Sequence, residues 1–248
     1  VWFDHNHNGI QDVDETGVPN VDTTLYVISG TTSIPVTVDA FGNPLAQQTT
    51  DASGNYLYEN LLPGDFYVEF DLADIPAGYQ TTLQATTTDE ADSDVDMTGR
   101  TDSTGFIQSG GENRDLDMGI WIPSSIGDMV WYDNDHDGTY EPAYGELGVP
   151  NIGVTLWMSG TTSPIMTTTT DINGTYIFSN LIPGDYFVEF DLGTLPAGYT
   201  VTQQDVASDL TDAEDSDADP NTGHTHVTTL TPGDHDPTLD MGIYAKVS

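Results

Sequence analysis

The sequence contains no cysteine, very few basic residues and no long hydrophobic run. Without cysteine there are no disulfides and no thiolate metal sites, so the chain must be held together outside its core by another kind of bond. No segment is apolar enough to cross a membrane as a helix. A signal peptide and a sorting tail are lacking as well, and we expect the chain to be part of a longer protein with further repeats on both sides.

Basic residues are limited to Arg100, Arg114 and Lys246, against 41 acidic residues, which gives a formal net charge of −38 at pH 7. Such a chain is repelled by nucleic acid and by anionic membranes, so neither is expected as a partner. Self-repulsion of this size calls for bound cations or high external salt, while 36% hydrophobic residues suffice for a core. The composition therefore predicts a folded protein in which cations are a structural part.

The sequence repeats itself once, in the same order and at nearly the same offset. The matching segments are 1–4 and 130–133, 17–20 and 148–151, 51–56 and 171–176, 62–65 and 182–185, 76–79 and 196–199, 92–94 and 215–217, and 117–120 and 240–243. We therefore predict two homologous units, residues 1–123 and 124–248, each of the size of one sandwich domain. The short connection at 122–125 contains Pro123, which favours restricted motion between the units.

Strand signals dominate both units. Period-2 runs of β-branched and aromatic residues lie at 24–28, 66–70, 155–158 and 186–190, and Pro-Gly-Asp and Asn-Gly turns separate them. No window shows a helical stripe with caps. The predicted fold class is all-β, with two tandem antiparallel β-sandwich domains.

The first unit carries a complete calcium-loop pattern. D-x-[DN]-x-[DN]-G-x5-E is matched at every specified position by Asp4, Asn6, Asn8, Gly9 and Glu15, and Ile10 and Asp12 are further candidate ligands within the loop. Alternate residues of a tight turn aim oxygens at one ion, and Ile10 offers its backbone carbonyl. An all-oxygen shell selects a hard cation, and its ligand number favours Ca²⁺ over Mg²⁺. The alternative interpretation is an acidic surface turn.

The second unit carries a related loop with an altered end. Its candidate ligands are Asp133, Asp135, Asp137, Thr139 and Glu141, and two extra residues precede Glu146, which leaves the register of the closing glutamate open. If Glu146 reaches the ion, this loop offers five carboxylates against three in the first, so the two affinities should differ. Strand-like residues flank both loops, so we do not expect a helix-loop-helix switch.

A second acidic segment follows in each unit. Its members are Asp89, Glu90, Asp92, Asp94 and Asp96 in the first unit, and Asp212, Glu214, Asp215, Asp217 and Asp219 in the second. Alternation places every other carboxylate on one side, and Asp117 or Asp240 at the last strand is expected to complete the shell. We add Asp128, which opens the second unit, to the predicted metal ligands. A solvated charge run is the alternative.

Together these segments resemble the SdrD B-like repeat, a calcium-binding relative of the collagen-adhesin (Cna) B-type domains of bacterial surface proteins. The resemblance spans the whole chain and is carried by the segments 1–15, 17–18, 51–56, 62–65, 76–79, 92–94, 98–100 and 117–119 and by 126–128. It implies an Ig-like or transthyretin-like sandwich, stiffened by several calcium ions, in a stalk at the bacterial surface. The implied partners are calcium ions, neighbouring repeats and a host or matrix ligand bound by other domains. The Lys-dependent isopeptide crosslink of many Cna relatives is not expected, because Lys246 is the only lysine.

The sequence also allows other interpretations. A carbohydrate- or protein-binding module needs an exposed aromatic platform, for which Trp121 is the main candidate. Zinc at His224, His226 and His235 lacks a closing ligand pattern, and His5, His7 and His136 occupy loop positions expected to point outward. An accessory domain of a secreted enzyme remains an alternative, but no recognisable catalytic constellation is present, and we expect no enzyme activity. Asn173 fits a glycosylation pattern that its tight turn explains equally well.

Overall fold

The computed structural model describes residues 1–84, 91–204 and 214–246, so Asp89, Glu90 and Asp212 of the second acidic segments lie outside the described residues. The chain divides into two compact units, Val1–Ile122 (unit 1) and Pro123–Ser248 (unit 2). Among the described residues, helix is confined to two three-residue 3-10 turns at Pro142–Tyr144 and Leu192–Thr194, and neither could cross a membrane. The predicted all-β class is confirmed.

The described residues of unit 1 form two sheets. Its strands are β1 (Trp2–Phe3), β2 (Asp22–Ser29), β3 (Thr32–Pro35), β4 (Gln48–Thr49), β5 (Gly64–Phe70), β6 (Gln80–Thr81), β7 (Phe106–Ile107) and β8 (Gly119–Trp121). One sheet has the order β3-β2-β5-β7, with β4 also beside β2, and the other has the order β1-β8-β6. Pairing is antiparallel except between β1 and β8, the first and last strands of the unit, which run in parallel.

Unit 2 repeats this plan and adds a third sheet. Its strands are β9 (Ser124–Ile126), β10 (Val130–Tyr132), β11 (Gly153–Met158), β12 (Met166–Thr169), β13 (Phe178–Leu181), β14 (Gly184–Phe190), β15 (Tyr199–Val201), β16 (Thr228–Leu230), β17 (His235–Asp236) and β18 (Met241–Ala245). The orders are β12-β11-β14-β16, β10-β18-β15 and β13-β9-β17. β10 and β18 again pair in parallel.

The core of each unit follows from the period-2 pattern. In β14, Tyr186, Val188 and Phe190 are at most 1% exposed, while the residues between them are half-buried. Apolar side chains on alternate positions thus face the second sheet, as in other sandwich domains. The four predicted strand segments coincide with β2, β5, β11 and β14.

The topology brings the acidic segments of each unit to one place. The loop that starts at Asp4 leaves the end of β1, and the Asp4 amide donates to the Ile120 carbonyl of β8 (2.7 Å). β6, on the other side of β8, ends immediately before Thr82. Asp4 and Thr82 therefore lie on either side of β8, next to successive residues of that strand.

Candidate metal centres

The first loop is organised around the carboxylate of Asp4, which is 2% exposed. Its Oδ1 accepts from the amide of Asn8 (3.2 Å) and its Oδ2 accepts from the amide of Gly9 (2.8 Å). The Thr82 hydroxyl also donates to Oδ2. Each carboxylate oxygen has more than one lone-pair site, so these contacts orient the group and leave acceptor capacity for a cation.

Glu15 closes the same loop from its far end. Its Oε1 accepts from the amide of His5 (2.8 Å) and its Oε2 from the amide of Asp12 (3.0 Å). Burial raises the pKa of Glu15, and the nearby Asp4 and Asp12 carboxylates raise it further. The two hydrogen bonds lower this pKa but do not cancel the rise. The Asn6 side-chain amide donates to Asp12 Oδ2 (2.8 Å), which draws a further ligand candidate into the loop.

Gly9 makes the sharp bend of the loop. Its φ of +76° lies in the left-handed region, and a Cβ at this position would lie 2.5 Å from the carbonyl oxygen of Leu83. Gly138 has the equivalent conformation in the second loop, with a φ of +86°. Glycine is therefore required here by conformation and, in unit 1, by the close approach of a second backbone segment.

The second loop brings three carboxylates together. One oxygen each from Asp133, Asp135 and Asp137 lies within 4.8 Å of the others, and Asp133 is buried while the other two are exposed. Asp133 shares with Asp4 the contacts from the loop glycine and the threonine: its Oδ2 accepts from the amide of Gly138 (3.1 Å) and from the hydroxyl of Thr202, while its Oδ1 accepts from the amide of His136 (2.6 Å). Three converging carboxylates repel one another unless a cation lies between them.

The two-residue insertion of the second loop does not displace its closing glutamate. Glu146 is 2% exposed and accepts from the amides of Asn134 (2.8 Å) and Glu141 (2.6 Å). The extra residues form the 3-10 turn Pro142–Tyr144, which Gly145 ends in a left-handed conformation (φ +86°). Among the two candidates left open by the sequence, Glu146 is thus the structural counterpart of Glu15.

Each loop pairs with the second acidic segment of its own unit. Ile10 and Asp92 form an antiparallel bridge, as do Thr139 and Asp215. In unit 1 the Ser93 amide donates to the Gly9 carbonyl (2.9 Å). Asp92 and Asp215 are buried, at 1% and 5% exposure. The two acidic motifs recognised separately in the sequence therefore form one continuous acidic region per unit.

A second carboxylate cluster lies at the last strand of unit 2. The amide of Asp240 donates to Asp217 Oδ2 (2.8 Å), and the amide of Met129 donates to Asp240 Oδ1 (3.0 Å). Asp128 and Asp240 share a side-chain hydrogen bond. Burial raises the pKa of Asp128 to about 6, and burial with the neighbouring Asp128 raises that of Asp240 well above its usual value. Two carboxylates this close need a proton or a cation between them.

Unit 1 repeats part of this cluster. The Asp117 amide donates to Asp94 Oδ2 (2.7 Å), and burial, followed by the charges of Asp92 and Asp117, raises the pKa of Asp94 to about 7. Asp96 and Asp219 are placed differently: their Oδ1 atoms accept from the amides of Thr98 and Asn221 and close local turns. Hydrogen bonds from those turns lower the pKa of both carboxyl groups.

Two expectations about aromatic and histidine side chains are wrong. Trp121 is only 6% exposed, because the His7 ring stacks on it with a centroid distance of 3.8 Å. His7 is accordingly half-buried rather than outward-pointing, and its Nδ1 lies 2.9 Å from the Thr82 hydroxyl. The structure therefore offers no exposed platform at Trp121.

The histidines weighed as zinc ligands contact different carboxylates. His226 Nδ1 lies 3.4 Å from Asp217 Oδ1, whereas His224 Nε2 lies 3.7 Å from Glu189 Oε2.

Thr82 and Thr202 contact the loops but carry no signal in a calcium-loop pattern. They lie 78 and 69 residues from the aspartates they contact. In the sequence, the repeat alone indicates that the two threonines are equivalent, because Thr82 and Thr202 each lie three residues after a Pro-Ala-Gly-Tyr turn.

Comparison with known proteins agrees with this arrangement of two repeated units. The sequence model of the SdrD B-like domain matches residues 1–120 and again residues 124–243. The chain belongs to the SdrD B-like domain family. It is 38% identical to serine-aspartate repeat-containing protein E of Staphylococcus aureus (strain USA300), over 99% of this chain and 18% of that protein. The bone sialoprotein-binding protein of strain MRSA252 is also 38% identical, over 99% of this chain and 19% of its own length.

Solved structures with similarity to these SdrD B-like domains include two pilins. The minor pilin GBS52 of Streptococcus agalactiae is 13% identical, with a TM-score of 0.34 over 97% of this chain and 89% of that one. The shaft pilin SpaA of Lactobacillus rhamnosus GG is 10% identical, with a TM-score of 0.32 over 99% and 95%. Scores this low do not establish a shared fold, and the assignment rests on the family match. The chain spans about a fifth of the curated relatives it matches.

Proposed function

We propose that this chain is a calcium-stabilised spacer of a bacterial surface protein, with no catalytic role. The observation that carries the proposal is the buried acidic region found in both units. The first aspartates of the loops, Asp4 and Asp133, are each 2% exposed, and Asp92 and Asp240 are each 1% exposed. Buried carboxylates are costly when ionised, unless a positive charge compensates them.

The chain's own arginines are engaged away from these regions. The Arg100 guanidinium lies 3.9 Å from the centroid of the Tyr67 ring, and Arg114 pairs with the exposed Glu112 at 3.4 Å. With Lys246 these make three Lys and Arg residues against 41 acidic residues, too few to compensate the carboxylates. The donor set is made of carboxylate, amide and backbone oxygens, which suits Ca²⁺.

A cation bound only by the folded chain stabilises it by mass action. The loop ligands come from the segment after β1, and the second acidic segment pairs with that loop, so an ion here ties together parts of the unit that are distant in sequence. Such ties resist extension of the domain, which is what a spacer requires. In this chain, which has no cysteine, they take the place that disulfides hold in other extracellular domains.

The surface location is part of this proposal and rests on the resemblance of both units to repeats of bacterial surface proteins. Serine-aspartate repeat-containing protein E and the bone sialoprotein-binding protein contain similar domains over a minor part of their length. The second of these is named for a host protein, and we place any such ligand on domains other than these two. The competing proposal of a ligand-binding module loses its main candidate with the burial of Trp121.

The test is thermal unfolding of the full chain with calcium, with magnesium and with EDTA. We expect EDTA to lower the Tm, calcium to restore it and magnesium to restore it less. D133N should reduce the calcium-induced rise in Tm, whereas D191N, which removes the same charge from the exposed aspartate that caps the turn at Gly193, should not. A Tm that is identical in EDTA and in calcium would rule out the proposal.

A further inference from the structure

The residue after strand β6 and its counterpart after β15 contact the calcium loops in the same way. Thr82 and Thr202 are buried, at 6% and 2% exposure, and their hydroxyls donate to Oδ2 of Asp4 and Asp133 respectively. The same contact occurs in both compact units, although their loop sequences differ. A contact that survives this divergence is a property of the repeat rather than of one loop.

The backbone fixes each threonine against the last strand of its unit. The Thr82 amide donates to the Gly119 carbonyl (2.9 Å), and the Thr202 amide to the Gly242 carbonyl (2.9 Å). The aspartate amides are bonded to the next residue of the same strands, Asp133 to Ile243 at 2.8 Å. The threonine and the aspartate are thereby held on the two edges of the same strand, next to successive residues, at a separation that the strand geometry sets.

Packing also fixes the rotation of the threonine side chain. A Cβ on Gly119 would lie 2.6 Å from the Thr82 methyl and 2.9 Å from Trp2 Cζ2, and one on Gly242 would lie 2.7 Å from the Thr202 methyl and 3.0 Å from Trp131 Cζ2. The glycine therefore leaves the space that the methyl and the indole ring occupy. With the methyl seated there, the hydroxyl faces the carboxylate, and a β-branched side chain has little freedom to turn away.

We infer that Thr82 and Thr202 are positioning residues for the calcium loops, each holding the first aspartate of its loop in the orientation that binds the ion. This inference rests on the proposed function and adds the residues that set the affinity. Groups that orient a metal ligand by a hydrogen bond commonly change metal affinity about 10- to 100-fold when they are removed. In unit 1 the same hydroxyl also contacts His7 Nδ1 (2.9 Å), so its orientation is supported from a second side.

The experiment measures calcium binding by calorimetry, and the Tm with and without calcium, for the full chain and four variants. T82V and T202V keep the shape of the side chain and remove the hydroxyl, and T82S keeps the hydroxyl and removes the methyl. T50V is the matched control, because Thr50 is 3% exposed and its hydroxyl bonds the backbone of Val18 and Val21 (2.8 and 2.9 Å).

We expect T82V and T202V each to weaken the affected site at least about tenfold, with a smaller loss in T82S, which keeps the hydroxyl but not the methyl that orients it. T50V should lower the Tm equally with and without calcium and leave the affinity unchanged. Wild-type calcium affinity in a folded T82V or T202V chain overturns the inference. A T82S chain that loses as much affinity as T82V also overturns it, and so does a T50V chain that loses as much affinity as T82V. If T82V does not fold, T202V and T82S decide. A wild-type chain that binds no calcium overturns the proposed function instead, and this inference with it.

Discussion

Glu146 holds in unit 2 the place that Glu15 holds in unit 1, although two more residues separate it from the first aspartate of its loop. Both carboxylates accept from the amides of the second and ninth loop residues. The loop accommodates the insertion and still places its glutamate at the same two amides. Its closing point is therefore structurally constrained. The intervening 3-10 turn at Pro142–Tyr144 shows where the additional residues go.

Replacing either candidate closing glutamate by glutamine should therefore weaken calcium binding, but by unequal amounts. E146Q removes the buried carboxylate and is expected to weaken calcium binding by unit 2 at least about tenfold. E141Q removes the carboxylate of a half-buried residue, less buried than Glu146, so its effect should be smaller. Calorimetric titration of both variants measures this. Equal losses, or a larger loss in E141Q, would contradict the register.

The metal-free chain should lose stability as the pH rises from about 4 to about 7. The folded-state pKa of Asp94 is about 7 and that of Asp128 about 6, both above the usual value of 3.8. A raised pKa means that the folded chain binds the proton more tightly than the unfolded chain does, so this stabilisation is present at low pH and is lost as pH rises through the folded-state pKa. The turn aspartates with lowered pKa act in the opposite direction, but only near and below their usual value.

The measurement is the Tm in EDTA across this pH range, compared with the Tm in excess calcium. Calcium replaces the proton between the carboxylates, so the fall in Tm should disappear or reverse when it is present. D94N, which cannot ionise, should flatten the EDTA curve. A metal-free chain whose Tm rises steadily between pH 4 and 7 would show that these carboxyl groups are not buried as described.

The sequence predicted what depends on short-range patterns and missed what depends on long-range contacts. Alternation identified β5 and β14, and the spacing of oxygen donors identified Asp4 and Glu15 as partners in one loop. It left the register of Glu146 open, because an insertion shifts the spacing and only the folded turn shows where it goes. It assigned Trp121 to the surface, because the ring that covers it belongs to His7, at the other end of the unit.

Salt and calcium should stabilise the chain by different amounts. With a net charge of −38, the metal-free chain repels itself, and monovalent salt screens charges beyond a Debye length of about 10 Å at 0.1 M. Sodium chloride should therefore raise the Tm in EDTA gradually. Calcium should act at far lower concentration and with saturation, because closely spaced buried carboxylates are not reached by screening. Equal effects of calcium and sodium at equal ionic strength would indicate screening alone.

Two glycines with similar backbone angles should respond differently to alanine. Gly9 and Gly30 have φ values of +76° and +64°, so both substitutions place a side chain in the left-handed region, at a cost of about 1 kcal/mol or more. A Cβ at Gly30 meets nothing within 4 Å, whereas one at Gly9 lies 2.5 Å from the Leu83 carbonyl oxygen. G9A must therefore also move the loop away from the segment that carries Thr82. We expect G30A to lower the Tm by the same amount with and without calcium, and G9A to lower it more and to shrink the calcium-induced rise. If the two variants give the same calcium-induced rise, the close approach of Leu83 to the loop is not needed for binding.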